Sequence, residues 1–253
     1  MNNLLSLRKN RIFALCFRVI AFSVCLFGIL WRIGIFFGYF HGVIFLYFTL
    51  QTNIAVTVLF GYLIVKTAIS LKKEGINGCN EFNPRISVAI MIAITFVLIG
   101  FWMVLAPAGA REFPDRTYLL GSFDNLSVHL IAPLLMLADY AMFSKGGQLK
   151  GRDPFLFLII PVLYTISVMI LGATRTVVFY TPGLTYPSYF PYFFMDFNEI
   201  GLLMIPFMVA MTAFYLGLGL FLRFIDKKRV RKKKEKSDEE TEITEECISP
   251  LQE

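Results

Sequence analysis

IFLYFTLQTNIAVTVLFGYLIV, residues 44–65, contains no charged side chain in 22 positions. A bilayer core of about 30 Å is crossed by about 20 helical residues at 1.5 Å rise, so this stretch is long enough to span one. No water meets the backbone in lipid, and a lone segment satisfies its own N–H and C=O groups only by coiling into a helix. A membrane barrel strand would alternate apolar with polar side chains, and neither this stretch nor the other apolar runs do so.

Working outward, the same length and composition recur at 12–31, 86–105, 125–143, 154–171 and 200–224. Hydrophobic residues make up 57% of the 253 positions and charged ones 17%, with mean hydropathy +0.65, which excludes an ordinary soluble domain. The expected fold is therefore all-α, a polytopic membrane bundle of six transmembrane helices over 1–225. The first span follows Arg8, Lys9 and Arg11, as a secretory signal does, but no small-residue cleavage site follows it, and it reads as a retained helix. Arg18 within that span must snorkel or find a partner.

Nineteen of the 24 Lys and Arg residues fall on one side of this arrangement and only Arg32, Arg111, Arg116 and Arg175 on the other. Positive charge stays inside, which predicts a plasma-membrane protein with both termini cytoplasmic. From 226 the chain reads DKKRVRKKKEKSDEETEITEE, too polar for a core, and 226–253 is expected to be a disordered charged cytoplasmic tail. Its basic half would lie against anionic lipid headgroups, each cation contributing about 1 kcal/mol. Membrane lipids are thus the expected partner. Nucleic acid is not, because the densest run of cations is the basic first half of that tail, where a membrane surface accounts for it more simply. The four cysteines form no CxxC pair, so no disulfide framework, metal or cofactor is expected. The two halves show no repeat, and inverted-repeat transporter architecture has no support.

Polar side chains inside such a bundle are costly and tend to mark function. Two clusters stand out. FTLQTN, residues 48–53, places Thr49, Gln51, Thr52 and Asn53 together, and the i, i+4 spacing puts Thr49 and Asn53 on one face. DNLSVHLIAPLL, residues 124–135, puts Asn125 and His129 on one face in the same way. Both helices run inward from the external side, so Thr49 and His129 lie at similar depth, about four to five residues down. A hydroxyl within reach of an imidazole is a nucleophile and base in outline. Against this stands the plainer reading, in which threonine bonds the carbonyl one turn back and a single histidine packs.

The chain resembles, at these two clusters, the androgen-induced and androgen-dependent membrane hydrolases, and more closely their bacterial six-helix relatives. The shared patterns are FTxQ(S/T)N, here FTLQTN, and HxxxPxLxxxD, here HLIAPLLMLAD at 129–139. YPSYFPYFFMDF, residues 186–197, also resembles an aromatic and proline-rich element before the last helix of those relatives, and reads as an interfacial belt or a lid. The resemblance implies a threonine nucleophile and a histidine partner that hydrolyse lipid (fatty acyl) esters, roles that fall on Thr49 and His129. Gln51, Asn53 and Asn125 are then the expected oxyanion donors. Asp139, ten residues below His129, is too far to act as a third member and is expected to pair at the inner face, whereas Asp124 and Asp196 are nearer the rim. A small-solute transporter and a non-catalytic membrane regulator remain the alternative functions.

Overall fold

The computed structural model describes residues 9–38, 40, 42–107, 120–179 and 188–248, with side chains in the last stretch described as far as 230. Six helices are long and apolar enough to cross a membrane: α1 Arg11–Arg32, α2 Phe48–Glu74, α3 Pro84–Leu105, α4 Phe123–Phe143, α5 Asp153–Ala173 and α6 Phe197–Val230. Among the described residues only two isolated bridges have extended pairing. The chain is an all-α six-helix bundle of multi-pass membrane type.

Local chemistry sets the helix ends. The Asn10 side chain caps α1, its Oδ1 accepting from the amides of Ile12 and Phe13 at 2.9 and 3.0 Å. Pro84 and Pro154 open α3 and α5, where a missing N–H leaves no bond unmade. α2 starts later than the apolar run because Gly42–Leu46 winds as a 3-10 turn. It ends later too, continuing through Lys66, Lys72 and Lys73 to Glu74, since straight-chain residues favour helix. The last helix differs most from the sequence expectation. The sixth span was expected to end at 224 with disorder from 226, yet the backbone is helical to Ile248. Lys, Arg and Glu are good helix formers, and a run that extends an existing helix needs no new nucleus.

α1 packs chiefly on α2, α2 on α3 and α3 on α4, with Phe60, Met91, Ile92, Ile94 and Met136 wholly buried between them. α5 and α6 lie outside this inner group and expose Leu163, Ile166, Leu202 and Val209, as lipid-facing helices do. Gly28 lets α1 touch α4: a Cβ there would stand 2.7 Å from Ser127 Oγ and 2.8 Å from its Cβ. Gly28→Ala is expected to cost about 1–3 kcal/mol by overpacking. A lower melting temperature in detergent, partly restored by adding Ser127→Gly, checks this.

A buried ion pair ties the basic end of the bundle. Arg18 Nε donates to Asp139 Oδ1 at 2.8 Å and Nη2 to Oδ2 at 3.3 Å. The same guanidinium donates to Thr67 Oγ1 and to the Asn80 carbonyl, both at 2.7 Å. One side chain of α1 thereby holds α2, α4 and the loop between α2 and α3. Arg18 has found a partner rather than snorkelled, and Asp139 is that partner. Nearby, buried Arg11 donates to the carbonyls of Gly75 at 2.7 Å and Asn77 at 3.2 Å and pairs with Glu74. The loop after α4 is held to α6 by the Leu149 amide, which donates to Asp226 Oδ2 at 3.0 Å.

Candidate active site

Thr49 is the second residue of α2, in the first turn, at the end of the bundle away from the basic loops. The hydroxyls of Thr52, Thr57, Thr67 and Thr212 donate to the carbonyl one turn back, at 2.7 to 3.0 Å. That is the ordinary fate of threonine in a membrane helix. Thr49 makes no such bond, and it lines a cavity together with Tyr192.

On α4, Pro133 has no N–H to give the carbonyl four residues back, that of His129. The freed carbonyl accepts from Trp102 Nε1 on α3 at 3.2 Å. The backbone immediately before Pro133 widens into a π-turn, Ser127–Ile131, which carries His129. α3 has its own π-turn, Phe101–Leu105, and the two meet where the Phe101 ring stacks on the imidazole, centroids 3.7 Å apart and planes at 16°. Such turns give up regular helix geometry to redirect side chains and recur at functional sites.

His129 is 5% exposed, and its Nδ1 lies 3.1 Å from the Asn125 carbonyl. A carbonyl only accepts, so Nδ1 carries the proton and Nε2 holds a free lone pair, the tautomer a general base needs. Asn125 thus orients the imidazole through its backbone, while its side-chain amide donates to the Leu120 carbonyl at 2.9 Å. None of the three aspartates serves as the orienting group. Asp139 pairs with Arg18, Asp124 pairs with Arg32 and accepts from Ser122 at 2.6 Å, and Asp196 accepts from Ser188 at 2.8 Å.

Asn53 joins the two clusters. Its Nδ2 donates to the Thr49 carbonyl at 2.8 Å and to the Val128 carbonyl at 3.0 Å, clasping α2 to α4 beside His129. Thr49 and His129 therefore lie on touching helices. No hydrogen bond joins them directly, and the imidazole sits behind the Phe101 ring rather than in the cavity wall. Gln51 is exposed and donates to the Phe45 carbonyl at 3.2 Å.

Comparison of the chain with family models, curated proteins and solved structures finds no match.

The cavity beside Thr49, about 90 Å³, is bounded by α3, α5, α6, the first turn of α2 and the segment before α6. Its walls are mostly apolar, with Phe96, Val104, Met208 and Met211 among them, and besides Thr49 the hydroxyl side chains on it are Tyr164, Thr165, Tyr192, Thr212 and Tyr215, of which Tyr164 and Tyr192 bear on the chemistry below. These two tyrosines are not among the residues expected from the sequence. Tyr192 lies in the aromatic segment read as belt or lid, and with Phe194 and Met195 it lines the cavity. Tyr186 and Pro187 of that segment, and His41, lie outside the described residues. Among the described residues no cluster of His, Cys, Asp and Glu could hold a metal ion.

Proposed function

We propose that this chain is an intramembrane hydrolase of lipid (fatty acyl) esters, with Thr49 as nucleophile and His129 as general base. The observation that carries the reading is the Thr49 hydroxyl, unspent on its own helix and facing an apolar cavity, on a helix clasped by Asn53 to the turn that bears His129. The unprotonated Nε2 that the Asn125 carbonyl imposes supports the base role. The charge asymmetry supports a plasma-membrane location with both termini cytoplasmic and the site near the external face. Lipids are the partners in this reading, and nucleic acid has no part.

In the reaction, Nε2 takes the Thr49 proton, directly or over one bridging water, as Oγ bonds to the ester carbonyl carbon. The tetrahedral intermediate collapses, the leaving alcohol takes the proton from the imidazolium, and an acyl-threonine remains. Water, deprotonated by the same nitrogen, then releases the acid. The acyl chain lies in the apolar cavity between α3, α5 and α6.

Treating the purified protein with a fluorophosphonate and mapping the adduct by mass spectrometry tests this. The expected result is an adduct on Thr49 that disappears in His129→Ala. A protein that takes no label and hydrolyses esters as well after Thr49→Ala as before is not this enzyme.

A further inference from the structure

The reaction needs a donor for the negative charge that develops on the carbonyl oxygen, and the side-chain amides nearest Thr49 are each turned to a backbone carbonyl. The Asn53 amide nitrogen is shared between two backbone carbonyls, that of Asn125 is held by Leu120, and that of Gln51 by Phe45. None of these three side chains lines the cavity beside Thr49, and the amides of Leu50 and Gln51 donate to the Tyr47 carbonyl. We propose that the hydroxyl of Tyr192 is the oxyanion donor of the Thr49 site, a role that rests on the hydrolase reading above.

Three observations place it there. Tyr192, Tyr164 and Thr49 line one cavity, and Tyr192 packs against Tyr47, two residues before Thr49. The Tyr164 hydroxyl donates its only proton to the Leu46 carbonyl at 3.1 Å and has none left for an oxyanion. The Tyr192 hydroxyl donates to no backbone carbonyl among the described residues, which leaves its proton able to turn to an incoming oxyanion.

The ring is also held in advance of the reaction. It stacks on Phe194, centroids 5.2 Å apart, and Phe194 stacks on Phe207 of α6 at 4.8 Å. Tyr47 packs edge-on against it at 5.7 Å. The segment itself is pinned by Ser188, whose hydroxyl donates to Asp196 at 2.8 Å and whose backbone pairs with Phe179. A donor held still by its surroundings stabilises charge without reorganising. Burial pushes the phenol of Tyr192 upward from its ordinary range, which keeps it protonated at neutral pH.

In the step itself, Thr49 Oγ bonds to the carbonyl carbon while the π pair moves onto oxygen. Tyr192 donates a hydrogen bond to that oxygen and keeps its proton, and the Thr49 proton goes to His129. Collapse returns the pair to the carbon–oxygen bond and expels the alkoxide, which His129 protonates.

Tyr192→Phe keeps the ring and its stacking and removes only the donor. The expected outcome is a fall in kcat of about 10²- to 10³-fold with KM little changed. A long-chain trifluoromethyl ketone, which forms a tetrahedral oxyanion on the nucleophile, should bind about 10²-fold more weakly, while the matching non-hydrolysable ether binds as before. Placing 3,5-difluorotyrosine at 192, a stronger donor of nearly the same shape, should instead tighten the ketone and lower the pH at which activity is lost on the alkaline side. Equal weakening of ketone and ether, or no response to fluorination, overturns the assignment and leaves Tyr192 as a wall residue. If Thr49→Ala abolishes hydrolysis while Tyr192→Phe retains wild-type kcat, this inference alone falls. If Thr49→Ala hydrolyses normally, the reading beneath it falls as well.

Discussion

Thr49→Ala is expected to lower ester hydrolysis about 10⁴-fold or more, measured as kcat/KM on a long-chain acyl ester in detergent micelles, with His129→Ala falling to a similar level. Members of a nucleophile and base pair act as a unit, so the double variant should be scarcely worse than either single one. Thr49→Ser retains the attacking oxygen and should keep a substantial part of the rate. The substitutions remove little packing from Thr49, which is only half-buried, so the variants should melt close to the wild-type temperature. His129→Ala takes a stacked ring from Phe101 and is expected to be less stable, which makes Thr49 the cleaner test. A Thr49→Ala protein with wild-type turnover would return the polar cluster to the plain role of joining α2 to α4.

The second large effect is on stability. Arg18→Met is expected to cost about 3–5 kcal/mol, because it leaves the Asp139 carboxylate buried with no cation and removes the groups that satisfy Thr67 and Asn80. The carboxylate is 6% exposed and Arg18 1% exposed, so water cannot take the place of the missing partner. Replacing both members, Arg18→Met with Asp139→Leu, removes the two desolvated charges together and should recover most or all of the loss. Thermal unfolding in detergent, followed by circular dichroism, separates these cases. Equal destabilisation in the single and the double variant would mean that the network stabilises through its hydrogen bonds to α2 and the loop rather than through charge pairing.

Much of the candidate site was legible in local spacing. Asn125 and His129 stand four apart, and the contact that results is between the imidazole and the Asn125 carbonyl, not the side-chain amide that is one of three oxyanion candidates in the sequence. Asn53, read in the same way, serves as a clasp between helices. Residue type identified these positions as costly in lipid and therefore purposeful, but whether a side chain or its backbone does the work depends on which neighbour arrives. Trp102 and Phe101 carried no signal of their own, since an aromatic residue in a membrane helix is unremarkable until it is found against a histidine.

Six spans, their order and their approximate ends were determined by the sequence alone, because an apolar run in lipid has no other way to satisfy its backbone and its length is set by the bilayer. Helix ends moved where good helix formers carried a turn past the apolar stretch, as after Lys66 and along the last helix. The tertiary structure alone decided that Arg18 meets Asp139, that α3 and α4 meet at their π-turns, and that Tyr192 lines one cavity with Thr49. Such pairings join residues far apart in the chain, and nothing in local periodicity specifies which face of one helix meets which face of another. That choice is made by packing over the whole bundle.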